Sequence, residues 1–319
     1  MTCITSSGQR ERPGVPETGV GHGEGGADRT KLTVIALARL FLNQVCLTRC
    51  CVTTLRTIIL IFAACIAGGS AFAQGGPPFY TNDPGTPGAN NWEINVGYIP
   101  FFYTDQSVSH TPDLDLNYGV GDRIQLTYEN AWLRVHDPAE PPKYGLGQSN
   151  FGVKWRFYDA GEQGWSIATF PQGFVNNPNN SVSRGITPKS QAFLLPFEFA
   201  RKLGPVDLNF ELGYNFVHNG PSGWLTGLIA GHTFNPRFEI DAEYYNISTY
   251  NPYQSQPTID VGGRYRIHNP IVLLLMAGRG LEHAGPTQPY FVGYFGVQFL
   301  LPSRAYNADI PQQEPKREP

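Results

Sequence analysis

Between Trp92 and Leu301 the chain repeats one pattern twelve times, a segment of about ten residues in which apolar and polar residues alternate. The clearest example is Val206–Phe216, where Val, Leu, Phe, Leu, Tyr and Phe occupy every second position. A period of two gives a β-strand one apolar face and one polar face. The eleven residues of this segment also match the length of a tilted strand that crosses a bilayer.

The connections between these segments alternate in length. Short connections such as Gly119–Asp122 and Lys202–Pro205 are rich in turn-forming residues, whereas Asp137–Gly147 and Asn176–Ser190 are long and polar. We expect long connections after the first, third, fifth, ninth and eleventh strands, with the short stretch 218–223 after the seventh as an exception. Outer-membrane barrels have short periplasmic turns and longer extracellular loops. The sequence therefore predicts an all-β fold, a transmembrane antiparallel up-and-down β-barrel of about twelve strands.

The composition agrees with this prediction and excludes other classes of protein. Charged residues make up only 15% of the chain, aromatic residues make up 13%, and the formal net charge is −3. So small a charge gives no electrostatic basis for binding nucleic acid. We expect the apolar faces to contact outer-membrane lipid and the polar faces to surround a lumen, which places the protein in the outer membrane of a Gram-negative cell.

A secretory signal peptide is predicted at residues 52–73. It has a basic residue, Arg56, before an apolar run from Ile58 to Gly69, and a cleavage motif formed by Ala71 and Ala73. The apolar run is shorter than the roughly 20 residues of a transmembrane helix. We therefore expect export through a cleaved signal, with the mature chain starting at Gln74.

Residues 1–51 form a leader with two interpretations. Either the start is wrongly assigned and translation begins near Val52 or Leu55 at a non-AUG codon, or the leader is a genuine amphipathic or disordered extension. Every cysteine of the chain precedes the predicted cleavage point: Cys3, Cys46, Cys50, Cys51 and Cys65. The mature chain would then lack disulfides, and no metal site or cofactor is expected, because the cysteine spacing matches no zinc pattern.

Both ends of the predicted barrel, residues 91–301, carry extensions. Residues 74–90 are rich in Pro and Gly and are expected to form a periplasmic N-terminal segment or a small plug. Residues 302–319 are expected to form a disordered periplasmic tail. Gly296, Phe299 and Leu301 fit the Gly-x-x-aromatic-x-apolar pattern that ends many outer-membrane barrels and is read by the barrel-insertion machinery.

Charged residues on the polar faces are the candidate pore-lining residues. They are Glu93, Asp113, Asp115, Glu129, Lys154, Arg156, Asp207, Glu211, Glu239, Asp241, Glu243, Asp260, Arg264 and Arg266. Because the ninth and tenth strands are antiparallel neighbours, we expect the acids at 239, 241 and 243 to pair with Arg264 and Arg266. Such a lumen is either a constriction of mixed charge that selects solutes or a web of ion pairs that closes the barrel.

Two strands are expected to turn apolar side chains inward. They carry Leu225, Gly227 and Ile229 in the eighth strand, and Leu273, Leu275 and Ala277 in the eleventh. An apolar lumen would suit hydrophobic or aromatic solutes. Two alternatives remain, namely that the faces of these strands are assigned the wrong way round, or that the side chains pack against an inward-folded N-terminal segment.

Several stretches resemble a family of bacterial outer-membrane transporters catalogued under the MetA pathway of phenol degradation. They are Pro77–Pro84, Gly85–Gly88 with Trp92–Asn95, Leu116–Gln125, Gly145–Gly147 with Gly152–Tyr158, and Leu194–Phe199. The resemblance covers most of residues 77–301. It implies a barrel fold and the passage of small molecules, and it supplies no catalytic residues.

The sequence thus favours a porin-like channel for passive uptake or efflux of small molecules, with lipid, the insertion machinery and a small solute as partners. The alternative is a non-conducting structural or surface-interaction barrel with a salt-bridged lumen. A lipid hydrolase would need a serine beside His218 or His232, and neither has one at an obvious partnering position. We therefore expect no enzymatic activity.

Overall fold

A computed structural model describes residues 75–161, 164–250, 254–282 and 288–302. Fifteen strands are present in these ranges. Their bounds are β1 Trp92–Phe102, β2 Ser107–Val120, β3 Ile124–His136, β4 Lys143–Leu146, β5 Ser149–Asp159, β6 Trp165–Thr169, β7 Gln172–Val175, β8 Gln191–Leu203, β9 Val206–His218, β10 Gly223–Asn235, β11 Phe238–Thr249, β12 Gln254–Ser255, β13 Thr258–His268, β14 Ile271–Gly280 and β15 Phe291–Leu301. The leader, the signal peptide with Ala71 and Ala73, and residues 303–319 of the tail lie outside the described residues.

The strands form one antiparallel sheet that closes on itself, which confirms the predicted fold. Twelve strands make up the barrel wall. β4 and β12 are short additions to β3 and β11, and β6 and β7 pair with β5 and β8 as two parts of one wall strand. The first and last strands pair from Trp92↔Leu301 to Phe102↔Phe291, so the wall has no open edge.

Apolar and polar side chains are distributed in the opposite way to a water-soluble protein. Phe151, Trp155 and Val261 on the outer face are 52%, 53% and 55% exposed, whereas Glu198 and Glu211 on the inner face are fully buried, with 0% exposure. A soluble sandwich would bury the former set and expose the latter. The outer surface of this barrel is therefore suited to lipid contact.

Two glycines make room for a tyrosine ring at the seam where the first and last strands pair. Gly97 and Gly296 are paired across the β1–β15 seam. A Cβ at Gly97 would lie 2.8 Å from the ring of Tyr294. Tyr294, only 4% exposed, therefore covers the seam from inside, and no larger residue fits at Gly97 without moving this ring.

One connection and one strand differ from the predicted pattern. Only residues 103–106 join β1 to β2, so the long loop expected after the first strand is wrong, because both strands extend into it. The fifth wall strand is interrupted at Phe170 and Pro171, because a proline has no N–H group to donate to the neighbouring strand.

Among the described residues, no helix is long and apolar enough to cross a membrane.

Candidate functional site

The charged residues predicted to line the lumen lie on the inner face of the barrel. The most buried of them are Asp113, Asp115, Lys154, Asp207, Glu211, Glu239, Asp241, Glu243, Asp260 and Arg264. Glu93, Glu129, Arg156 and Arg266 are partly buried. Few of these groups face open water, and several of them bind the chain segment that precedes β1.

Arg264 on β13 holds the start of that segment. Its Nη2 donates to the carbonyl oxygens of residues 75, 76 and 77 at 3.0, 3.0 and 2.8 Å, and its Nε donates to the last of these at 3.2 Å. Its Nη1 donates to Glu239 at 2.7 Å and lies 3.7 Å from Asp241. The guanidinium therefore joins three backbone carbonyls to two carboxylates of β11.

Three further inner-face side chains bind the backbone of residues 80–83. Glu243 accepts hydrogen bonds from the N–H groups of residues 81 and 80 at 2.6 and 3.2 Å. Glu211 accepts one from the N–H of residue 82 at 2.7 Å, and Lys154 donates to the carbonyl of residue 83 at 2.5 Å. Basic groups thus meet carbonyls and acidic groups meet N–H groups, as in charge-assisted hydrogen bonding. These contacts hold residues 75–83 in the lumen, and we call residues 75–91, which continue from there to β1, the N-terminal plug.

Phe79 anchors the plug in an apolar pocket of the wall. It is 4% exposed and packs in one buried cluster with Ile229, Leu274, Met276 and Tyr294. Burial of a phenylalanine side chain contributes about 1.5–3 kcal/mol. The apolar inward face expected on the eighth strand, β10, is present and faces the plug.

The inward face expected on the eleventh strand, β14, was assigned the wrong way round. Val272, Leu274 and Met276 point inward, with exposures of 3%, 0% and 3%, whereas Leu275 on the outer face is 43% exposed. Both faces of this strand are apolar, so alternation cannot distinguish them. The inner set is apolar because it packs against the plug rather than against water.

The neighbouring tyrosine of the plug is also enclosed. The ring of Tyr80 lies 5.4 Å from that of Tyr245 and 6.3 Å from that of Phe101. Burial raises the pKa of the Tyr80 phenol well above its ordinary value, and the carboxylates of Asp260 and Glu243 add to the shift. The phenol therefore stays protonated and neutral in the lumen.

The expected pairing between the ninth and tenth strands, β11 and β13, is present only in part. Arg264 pairs with Glu239 and Asp241 as expected. Arg266 instead donates to Asn269 at 3.0 Å, and Glu243 binds plug N–H groups rather than an arginine. The difference arises because the plug supplies hydrogen-bonding groups that a strand-pairing argument does not include.

Glu198 on β8 is an inner-face acid absent from the predicted set. It is fully buried, with 0% exposure, and its carboxylate lies 3.5 Å from the Nζ of Lys154. Its sequence signal was available, since Glu198 stands between Phe197 and Phe199 in an alternating segment.

Gly227 on β10 provides the space in which Thr81 of the plug lies. A Cβ at Gly227 would clash with the Thr81 hydroxyl and would lie 2.9 Å from its Cβ. We expect Gly227→Val to displace the plug, so that proteinase K removes N-terminal residues that the wild-type protein protects, as measured by mass spectrometry. Gly173→Val is the matched control, because a Cβ there meets nothing within 4 Å. Unchanged protection in Gly227→Val would contradict this role of the plug.

Two cavities remain beside the plug. The first, the inner chamber, has a volume of about 260 Å³ and lies between the plug and an acidic part of the wall. The second, the vestibule, has a volume of about 370 Å³ and lies at the end with the short turns. Asp83, Gly85 and Thr86 line both cavities. Residues 83–86 of the plug are therefore the partition between the chamber and the vestibule.

The connection formed by residues 176–190 folds onto the inner face of β3 at the opposite end of the barrel. Its Ile186 is 6% exposed and packs against Ala131 and Leu133. Asn177 donates to the carbonyl oxygen of Gly147 at 2.6 Å, which holds this loop against the neighbouring one. The sequence predicts a long polar loop here. The loop folds inward because Ile186 is buried against the wall, and the alternation of apolar and polar residues in the strands does not predict the position of a loop residue.

The histidines considered for hydrolysis lie in other settings. His218 is exposed at the end of β9. The Nδ1 of His232 lies 2.6 Å from the carbonyl oxygen of Pro205, and its ring packs edge-on against Phe234. These contacts are typical of a structural histidine.

The comparisons by sequence identify no relative: no protein-family model matches the chain, and no curated protein matches it. Solved structures do match. The COG4313 outer membrane channel from Pseudomonas putida F1 aligns with a TM-score of 0.56 at 12% identity, over 72% of this chain and 100% of that chain. The KdgM porin in complex with disordered oligogalacturonate gives a TM-score of 0.47 at 11% identity, over 65% and 98% of the two chains. The NanC porin gives 0.46 at 8% identity, over 66% and 100%.

At these identities the structural likeness concerns the fold alone. The COG4313 channel is matched over its whole length, and the described residues of this chain form a closed barrel wall. Closed sheet, apolar exterior and polar interior together make this chain a transmembrane β-barrel of the outer-membrane type.

Proposed function

We propose that this protein is a passive outer-membrane channel for small molecules and that the N-terminal plug is its gate. The supporting observation is the partition at residues 83–86, which alone in the described lumen lines both the inner chamber and the vestibule. Moving these few residues joins two cavities into one path. No part of the barrel wall has to change for this to happen.

The contacts of the partition are few and non-covalent, which suits a movable gate. Lys154 holds the carbonyl oxygen of Asp83, and Thr86 donates to the carbonyl oxygen of Asp122 in a short turn at 2.9 Å. Asp83 otherwise bonds within the plug, to the N–H groups of Gly75 and Gly85. A small displacement can therefore break the attachment to the wall while the plug keeps its own turn.

The solutes that we propose are small, with an aromatic or hydrophobic part. Phe79, Tyr80, Phe170 and Phe174 contribute to the lining of the inner chamber, and flat apolar surfaces of this kind favour flat apolar solutes. The resemblance of Pro77–Pro84 and the other quoted stretches to the phenol-degradation transporters supports the same class of solute.

We likewise propose that Gly296, Phe299 and Leu301, which lie on the closing strand β15, form the signal that the barrel-insertion machinery reads.

A second candidate is a barrel that does not conduct. It is favoured by the buried ion pairs of Arg264 with Glu239 and of Lys154 with Glu198, which fill part of the lumen. The two candidates differ in whether the partition opens at all.

Single-channel recording of the Lys154→Met variant in planar bilayers tests the proposal. Lys154→Met removes the bond to Asp83, so we expect longer openings than in the wild-type barrel. Lys143→Met is the matched control, because Lys143 at the start of β4 pairs with Glu140 of the preceding exposed loop at 2.7 Å and should not affect gating. Absence of openings in both wild type and Lys154→Met, at any voltage, would support the non-conducting barrel.

A further inference from the structure

One wall of the inner chamber carries a concentration of carboxyl groups. Glu93, Asp113, Asp115 and Glu129, from β1, β2 and β3, all line it. Lys154 is the one basic residue among the described residues that line this cavity. Its ammonium is already engaged by Asp83 and Glu198, and the Nδ1 of His110 lies 3.4 Å from Asp113. The other three acids of this wall form no ion pair with the described residues.

Two side chains that line this chamber each have a buried acceptor atom with no hydrogen-bond donor among the described residues. Asp115 is 9% exposed and Asn150 is 5% exposed, and both residues line the cavity. The Oδ2 of Asp115 accepts bonds from Asn95 and Asn117, each at 2.9 Å, but its Oδ1 accepts none within the described residues. A buried acceptor without a donor costs about 1–3 kcal/mol.

The Oδ1 of Asn150 likewise accepts no hydrogen bond from the described residues. Its amide Nδ2 donates to Glu129 at 3.1 Å and to Gln172 at 2.8 Å. These two bonds fix the orientation of the side chain, and the Oδ1 finds no donor in the described part of the lumen. The chamber therefore presents acceptors in excess, and a ligand rich in N–H donors would satisfy them.

The aromatic part of the chamber already receives a cation. The Nζ of Lys154 lies 4.8 Å from the centre of the Phe170 ring, within the range of a cation–π interaction. Phe174, Tyr80 and Tyr245 line the same cavity. Among the described residues, no group of three or more His, Cys, Asp or Glu side chains is arranged to hold a metal ion. The arrangement thus favours an organic N–H donor over a metal ion.

We infer that the inner chamber is a binding subsite for small organic cations, in which an ammonium or guanidinium group meets Asp115, Glu129 and Asn150 and a flat body lies along the aromatic side chains. This inference rests on the proposed channel function, since it names the class of solute that the channel would select. Neutral and anionic solutes of the same shape would leave the acceptors unsatisfied or would meet like charge.

Isothermal titration of the detergent-solubilised barrel with benzylammonium, benzyl alcohol and benzoate tests the subsite directly. We expect benzylammonium to bind at least about tenfold more tightly than benzyl alcohol, a difference of about 1.4 kcal/mol, and benzoate not to bind. The comparison uses the wild-type protein, so it does not depend on any variant folding. Equal affinity for benzylammonium and benzyl alcohol would overturn the inference.

The isosteric variant Asp115→Asn/Glu129→Gln assigns the binding to this chamber. We expect its affinity for benzylammonium to fall about tenfold or more, with the slow mobility of the unheated barrel in a gel as the test of folding. The control Asp105→Asn/Glu140→Gln removes two charges from exposed loops and should bind as wild type. Unchanged affinity in a folded Asp115→Asn/Glu129→Gln barrel would overturn the assignment.

Conductance measured on the same preparations separates this inference from the proposed function. Selective binding of benzylammonium by a barrel that never opens would uphold the subsite and refute the channel. Openings without any preference between benzylammonium and benzyl alcohol, in binding or in reversal potential, would uphold the channel and refute the subsite.

Discussion

Deletion of residues 76–88 is expected to raise the single-channel conductance several-fold. The deletion removes Phe79 from its wall pocket and the 83–86 partition from between the two cavities. A twelve-stranded barrel is wider than the eight-stranded kind whose interior side chains fill it, so the emptied lumen should conduct. The measurement is ion current across a planar bilayer, with liposome swelling by small sugars as a second readout.

A reversible lock provides the control, because the deletion also removes contacts that stabilise the wall. In the double variant Thr81→Cys/Gly227→Cys the two Cβ positions start 2.9 Å apart, and the plug must move away from β10 by roughly 0.6–1.6 Å to reach the Cβ spacing of about 3.5–4.5 Å found in disulfides. All native cysteines precede residue 66, so the described chain offers no competing thiol. We expect the oxidised protein to remain closed and reduction to restore openings. Equal conductance in both redox states would mean that solutes pass the plug without moving it.

The wall of the barrel could be predicted from the sequence because its signal is local. In Val206–Phe216 each residue's face follows from its neighbours alone, and the structure pairs this strand over its length with β8 and over part of it with β10. β14 failed the same argument, because Val272, Leu274 and Met276 are as apolar as the residues between them. Their inward direction depends on Phe79, about 200 positions earlier in the chain.

The plug could be suggested from composition, but its attachment could not. Pro and Gly in residues 74–90 indicate a segment that is neither strand nor helix. The bonds that hold it join residues far apart in the sequence, such as Arg264 with Pro77, 187 positions away. An inward-facing charged residue gives a strand the same sequence pattern whether its side chain binds a solute, another side chain or a backbone carbonyl. The inner chamber is likewise defined only once the plug is in place, since residues from Gly75 to Thr86 form one of its sides.

Replacement of Arg264 by methionine is expected to cost about 3–5 kcal/mol of unfolding free energy, the usual effect of removing one partner from a buried ion pair. The side chain of Arg264 is 7% exposed, so water does not screen the carboxylates of Glu239 and Asp241 that it leaves behind. The same change frees the carbonyl oxygens of residues 75–77 and should shift the plug toward the open state. Urea unfolding of the barrel in lipid vesicles, followed by tryptophan fluorescence, measures the first effect, and bilayer conductance measures the second.

Three companion variants separate the two roles of this arginine. Arg266 lies on the same face of β13, and its side chain donates to Asn269 in the adjoining turn, so Arg266→Met should change stability by no more than about 0.5 kcal/mol. Arg264→Lys keeps the charge but loses the planar fork that reaches carboxylate and carbonyls together, so we expect a stability between wild type and Arg264→Met. Adding Glu239→Gln to Arg264→Met removes a buried charge that has lost its arginine and should recover part of the stability while the plug stays released. If Arg264→Met and Arg266→Met lose the same stability, the ion pairs of Arg264 with Glu239 and Asp241 do not stabilise the wall. If the two variants show the same conductance, Arg264 does not hold the plug, because Arg264 is the one of these two arginines whose guanidinium binds the plug backbone in the described residues.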